Sequence, residues 1–176
     1  MIVALMGLPA TGKSTIAQAL ATTLSAIVLD KDRTRAAVFD ASDIEYSREQ
    51  DDFCMDIVYR VAGYLLARDP ARCIIIDGRT FGRAYQREAL CTAAQAMNTP
   101  LKIIECVCND EIARERLATS QHTSRHPAAN RDFTLHQQLK ADWENIAEPK
   151  LVLDTAALSL DECTRQAADF VRDERV

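Results

Sequence analysis

The sequence predicts an α/β fold built on a five-stranded parallel sheet. Five short apolar runs alternate with longer segments of helical periodicity, the pattern of βα units rather than of hairpins. The runs are almost uninterruptedly apolar, as strands covered on both faces are. The first of them passes through a glycine-rich turn directly into a helical stretch.

Taken in order, Ile2–Met6 is the first strand, and Lys13–Leu24 is a helix with Ile16, Leu20 and Leu24 on one side. Ala26–Leu29 is the second strand. A long helix follows, opened by Ser47 and Gln50 as a capping-box pair and striped by Phe53, Ile57, Val61 and Leu65. Cys73–Ile76 is the third strand, and Arg83–Met97 its helix. Leu101–Val107 is the fourth, followed by a helix over Asp110–Thr119 capped by Asn109. Residues 121–132 are too polar for a core element and read as a mobile lid or a surface loop. Lys150–Leu153 is the fifth strand. Ser159 and Glu162 box the last helix, which turns Leu160, Cys163, Ala167 and Phe170 inward.

At 176 residues the chain is one domain with enough apolar mass for a core. Its net charge of -5 runs against a sequence-blind nucleic-acid binder. No apolar run approaches the length of a membrane span, and Met1–Met6 lacks the basic flank of a signal peptide, so a reducing cytoplasm is expected. Six cysteines form no CxxC pair, and Cys106 and Cys108 read as core residues of one strand face. Sixteen arginines against five lysines favour planar or multi-oxygen anions as partners.

Gly7, Leu8, Pro9, Ala10, Thr11, Gly12, Lys13, Ser14 and Thr15 spell G-x-x-x-x-G-K-S-T, the P-loop pattern. Gly7 and Gly12 permit backbone angles closed to other residues. The loop amides then form an anion nest at the positive end of the following helix. Lys13 reaches the β- and γ-phosphates of a nucleotide, and the Ser14 hydroxyl ligates Mg2+. Chance would give the pattern in about one chain of this length in a hundred, and here it has the required strand before it and helix after it. The guanine-reading Asn-Lys-x-Asp of GTPases is absent. The third strand ends in Asp77 followed by Gly78, so the water-activating glutamate of motor ATPases is missing too. Asp77 is then either a magnesium partner or a loop cap.

Asp30 and Asp32 follow the second strand, at the sheet end that faces ligands. Asp30 is a candidate magnesium partner. Asp32 is the candidate base that a kinase needs to orient and deprotonate a hydroxyl, with Arg35 on the same helical face. The plain alternative is that Asp32 is an N-cap and Arg35 its surface ion pair. Arg79, Arg83 and Arg87 either bind an anionic acceptor or form a solvated helix face. His122 and His126 have metal-ligand spacing, but the following proline breaks the helix there. Trp143 reads as a core or lid-hinge anchor.

The P-loop at 7–14, Asp-x-x-Arg at Asp32–Arg35, Ile-Ile-Ile-Asp-Gly at 74–78 with Arg83 and Arg87, the Glu-Arg-Leu at 115–117 and the strand at 150–154 occur in the order of a known group. The chain resembles the P-loop kinases of the AAA domain phosphotransferase group, which is similar to 5′-hydroxyl polynucleotide kinases, chloramphenicol phosphotransferase, zeta toxins, and gluconate and shikimate kinases. The resemblance implies a three-layer P-loop NTPase fold, sheet order 2-3-1-4-5, helices on both faces and a short lid over about 114–132. It implies ATP and Mg2+ as cofactors, Asp32 as general base and Arg35 on the acceptor side. It also implies Arg116 or Arg125 as the arginine closing over ATP, with Arg114 available to stack on adenine. Ser120 and Gln121 stand where a further lid arginine belongs, and Phe39–Gln50 is acidic with no acceptor motif. The expected activity is phosphorylation of a small-molecule or nucleoside-like hydroxyl. A nucleic-acid 5′ end is the second acceptor, and a non-catalytic ATP-sensing module the alternative class.

Overall fold

In the computed structural model, which describes residues 1–123 and 132–173, the five apolar runs form one parallel sheet. The strands are β1 (Ile2–Met6), β2 (Ile27–Asp30), β3 (Ile74–Asp77), β4 (Leu101–Val107) and β5 (Leu151–Asp154). They lie in the order β2-β3-β1-β4-β5. Each boundary falls within a residue of the one read from the sequence. The register sets Asp30 beside Asp77, so both carboxylates leave the sheet at the same level.

Period-two alternation divides the sheet residues between two cores. Ile2, Ala4, Met6, Ile74, Ile76 and Ile103 pack under α3 (Arg48–Arg68) and α4 (Ala84–Ala96). Val3, Leu5, Ile75, Ile104, Cys106 and Leu153 pack under α1 (Lys13–Leu24) and α7 (Leu160–Arg172). Three further helices, α2 (Lys31–Val38), α5 (Asp110–Thr123) and α6 (Phe133–Ala141), complete the described chain. Among the described residues no helix is long and apolar enough to cross a membrane.

Several local expectations are corrected. The stripe Phe53, Ile57, Val61 and Leu65 is not the buried face of α3: Phe53 and Val61 are exposed, and Cys54, Val58, Ala62 and Leu66 are buried instead. The inner row is one residue along. Phe53 packs edge-on against Phe39 at 5.7 Å. Ser47 does cap α3 by accepting the Gln50 N–H at 3.1 Å. Gln50 does not complete the box; its amide accepts from Glu45 N–H and donates to Asp43 O, closing the preceding loop. Leu160 is exposed although its row partners Cys163 and Ala167 are buried. Cys106 is buried, with its thiol pushed up to about 12 by burial, but Cys108 lies beyond β4 with its sulfur 3.9 Å from Ala10 O. The helix after Asn109 runs on to Thr123, so residues 114–123 of the expected lid are part of α5.

Candidate active site

The phosphate loop joins β1 to α1 and crosses the carboxyl end of the sheet. A Cβ on Gly7 would sit 2.3 Å from Cys106 O, and its φ of +137° is closed to other residues, so only glycine lets the loop leave β1 here. Gly12, at φ +87°, turns the chain into the first turn of α1. Ala10 also takes a left-handed angle, and Thr11 closes the bend by donating its hydroxyl to Leu8 O at 2.8 Å. Lys13 bends back over the loop and donates to Gly7 O and Leu8 O, each at 2.7 Å. Its ammonium is thus held at the centre of the nest.

Two cavities flank this loop, and Lys13 and Ser14 line both. The first, about 480 Å³, is bounded by Ala10, Gly12, Thr15, Arg116, Thr155 and Leu158. Arg116 donates to Ala10 O at 3.2 Å, Thr155 Oγ1 at 2.9 Å and Thr155 O at 2.8 Å, and the Thr155 hydroxyl donates to Thr11 O at 3.0 Å. These bonds tie α5 and the turn after β5 to the loop. Arg114 lies elsewhere: it is exposed on α5, its guanidinium 4.3 Å over the Phe133 ring. Arg125 and His126 lie outside the described residues, as does the side chain of His122.

Asp30 and Asp77 stand side by side at the ends of β2 and β3. Asp77 is 1% exposed and neither of its oxygens has a hydrogen-bond partner. A buried carboxylate without partners is costly in a finished protein and calls for a cation. Asp30 caps α2 by accepting the Arg33 N–H at 2.9 Å. Burial first, and Asp77 beside it second, raise its carboxyl above the usual range. Two adjacent carboxylates, one of them buried and unpartnered, are hard oxygen donors, so these residues fit Mg2+, with Ser14 of the phosphate loop, Asp30 and Asp77 available to hold it. A carboxyl with a raised value in the folded state stabilises it in the protonated form, below the usual carboxylate range. That stability is lost as pH rises through the raised value. Asp30→Asn, which can still cap the helix, should therefore raise the melting temperature at neutral pH without metal. It should also raise the Mg2+ concentration needed for nucleotide binding. A lower melting temperature together with unchanged metal dependence would contradict this assignment.

The second cavity, about 320 Å³, holds the Asp-x-x-Arg pair. Asp32 is not the N-cap of α2; Asp30 is, and Asp32 falls in the first turn. Nor is its pair with Arg35 a surface one. Arg35 donates to Asp32 at 2.8 Å, and the two side chains are 2% and 8% exposed. Arg35 also donates to Asp51 on α3, and Lys31 bonds the same carboxylate at 2.6 Å. Arg79 pairs with Asp52, and Arg83 with Asp142 at 2.5 Å, both lining the same space. Arg87 does not belong with them. It is buried below the cavity, donating to Glu148 at 3.2 Å, Phe81 O at 3.1 Å and Asn145 O at 2.8 Å. Its work is to fasten the segment before β5 to α4. Arg87→Met should cost roughly 1–3 kcal/mol of unfolding free energy in urea, because two carbonyls and the half-buried Glu148 carboxylate lose their donor. A loss near zero would contradict that role.

Tyr46, Asp51 and His136 carry no sequence signal of their own, and Trp143, read as a core or lid-hinge anchor, joins them at the site. Tyr46, at φ +50°, lays its ring 5.1 Å from the Arg35 guanidinium. Asp51 arrives from α3. Trp143 forms part of the wall, so close that a Cβ on Gly82 would sit 2.7 Å from its ring. His136, buried on α6, donates from Nδ1 to Pro9 O at 2.9 Å and so fixes α6 to the phosphate loop.

The fold is shared with solved kinases. A provisionally named kinase of Chloroflexus aurantiacus is 23% identical, with a TM-score of 0.74 and coverage of 96% of this chain and 97% of that one. The Mycobacterium tuberculosis APS kinase CysC, solved with AMPPNP and APS, is 18% identical, with a TM-score of 0.73 and coverage of 98% and 97%. A gluconokinase of Sinorhizobium meliloti is 16% identical, with a TM-score of 0.65 and coverage of 96% and 90%. A search of curated proteins found no match to the sequence. A sequence model of one family covers the phosphate loop, the Asp-x-x-Arg pair, β3 and α5 together, matching residues 2–142, and the chain belongs to that family, the AAA domain family.

Proposed function

We propose that the protein is an ATP- and Mg2+-dependent kinase that phosphorylates a hydroxyl of a small-molecule acceptor. The observation that carries this is the meeting of two cavities at Lys13 and Ser14, with Asp32 on the wall of the second. A transferred phosphoryl group needs two binding spaces that share one point, a cation at that point, and a base on the acceptor side.

The nucleotide occupies the cavity beside Arg116 and Thr155, with its triphosphate along the loop. That the similar APS kinase was solved with AMPPNP supports this placement. Lys13 exchanges its bonds to Gly7 O and Leu8 O for phosphate oxygens. Asp32, oriented by Arg35, accepts the acceptor's hydroxyl proton. The hydroxyl oxygen forms its bond to the γ-phosphorus as the bond to the β–γ bridging oxygen breaks, and ADP leaves. Mg2+, when bound, screens charge on the phosphate oxygens; Ser14, Asp30 and Asp77 are the residues that would hold it. Arg125 remains the candidate to close over ATP on the strength of the family resemblance.

The volume of the second cavity, about 320 Å³, supports a metabolite-sized acceptor over a polynucleotide end. Incubation with γ-labelled ATP and pools of alcohols, nucleosides, antibiotics and 5′-hydroxyl oligonucleotides tests the reading. Label in a small-molecule pool is expected. Label in the oligonucleotides alone would reassign the acceptor, and tight ATP binding with no transfer to any pool would favour a nucleotide sensor.

A further inference from the structure

We propose that His136 is a positioning residue for nucleotide binding: by holding the Pro9 carbonyl it presets the Ala10 N–H of the phosphate loop for a phosphate oxygen. This deepens the nucleotide reading of the loop and rests on it.

A planar trans peptide points its C=O and N–H in opposite directions, so a loop offers its amides to an anion only where its carbonyls are held elsewhere. Three consecutive carbonyls of this loop take donors from distant parts of the chain. Arg116 of α5 donates to Ala10 O at 3.2 Å, and Thr155, after β5, donates to Thr11 O at 3.0 Å. The third carbonyl is Pro9 O, and its donor is His136 Nδ1 of α6 at 2.9 Å. Proline has no N–H, so the peptide joining Pro9 to Ala10 supplies the first amide after Leu8. That peptide stands between the two cavities, with Ala10 lining the first and Pro9 the second. Ala10 keeps a φ of +67°, an angle that a residue with a Cβ holds only where its surroundings enforce it.

His136 is itself fixed in place. It is 1% exposed, and its ring stacks on Phe133 with centroids 5.6 Å apart and planes inclined by 12°. Its Nε2 lies 3.7 Å from the carboxylate of Asp110 at the start of α5, which Lys140 bonds at 2.7 Å and Gln137 at 3.2 Å. Nε2 makes no hydrogen bond, so among the described residues the bond to Pro9 is the one the ring makes. Burying an imidazole with one nitrogen unbonded is costly, and an apolar side chain would fill the space without that cost. The bond to the loop is the compensating role.

Two variants separate the bond from the packing. His136→Phe keeps a ring against Phe133 and removes the donor. His136→Asn gives up the ring but places an amide N–H near the position of Nδ1. Binding of AMPPNP with Mg2+, and of tripolyphosphate with Mg2+, is measured by calorimetry, together with the melting temperature of each protein alone. His136→Phe is expected to bind both ligands about tenfold more weakly, and His136→Asn to recover to within about threefold of wild type. If His136→Phe does not fold, His136→Gln takes its place, because its longer amide reaches past Nδ1 toward Asp110, and the same tenfold loss is expected. Equal losses on both ligands place the effect at the phosphates. A packing role would reverse the order, with His136→Asn the weaker binder and affinity following the melting temperature. That order, a loss for AMPPNP without one for tripolyphosphate, or wild-type affinity in His136→Phe would overturn the proposal while leaving the nucleotide reading intact. Wild-type protein that binds neither ligand would end the nucleotide reading itself.

Discussion

Asp32→Asn is expected to leave ATP affinity within a few-fold of wild type and to cut phosphoryl transfer by about 10²–10⁴. Asparagine has nearly the same shape and can still accept the Arg35 hydrogen bond seen at 2.8 Å, so the local fold should survive. What it cannot do is take a proton from the attacking hydroxyl. The site is built to hold that one carboxylate still: Arg35 and Lys31 grip it from the same helix, and Asp51 ties both of those cations to α3. Transfer at the wild-type rate would remove Asp32 from the base role.

Lys13→Ala is the second large effect, expected to lower turnover by roughly 10²–10³ together with a loss of nucleotide affinity. Lys13 is buried, and its ammonium is held at 2.7 Å from two carbonyls of the loop it crosses. A cation already desolvated and aimed needs little reorganisation when a phosphate arrives, and such preorganisation is where electrostatic stabilisation is largest. Unchanged steady-state turnover would contradict the placement of the γ-phosphate at this point.

Much of this arrangement was legible in the sequence because it is local. The phosphate loop needs its glycines, lysine and serine within eight consecutive positions, and Asp32 and Arg35 are three apart on one helix. The strands showed themselves because both faces of a parallel sheet are covered. The rest depends on contacts between distant segments. Asp51 reaches Arg35 only through the packing of α2 on α3. Thr155 matters because the turn after β5 passes over Gly12, at 3.4 Å from a Cβ built there. Arg83 and Arg87 look equivalent in the sequence, yet one lines the cavity and the other is buried among Glu148, Phe81 and Asn145. On α3 two adjacent rows had helical spacing. Spacing alone does not choose between them; Cys54, Val58, Ala62 and Leu66 face the core, while Phe53 packs against Phe39 outside it. Arg114 instead lays its guanidinium over Phe133, 19 residues along the chain, a pairing that no local pattern announces.

A bound nucleotide's γ-phosphate is expected where the two cavities meet, open to Asp32. A crystal structure with AMPPNP and Mg2+ tests it most directly. The γ-phosphate should lie within hydrogen-bond reach of Lys13, about 3 Å, with its free face turned to the space between Asp32 and Arg79. A γ-phosphate walled off from that space, or Asp32 turned away from it, would rule out transfer to a hydroxyl held beside Asp32.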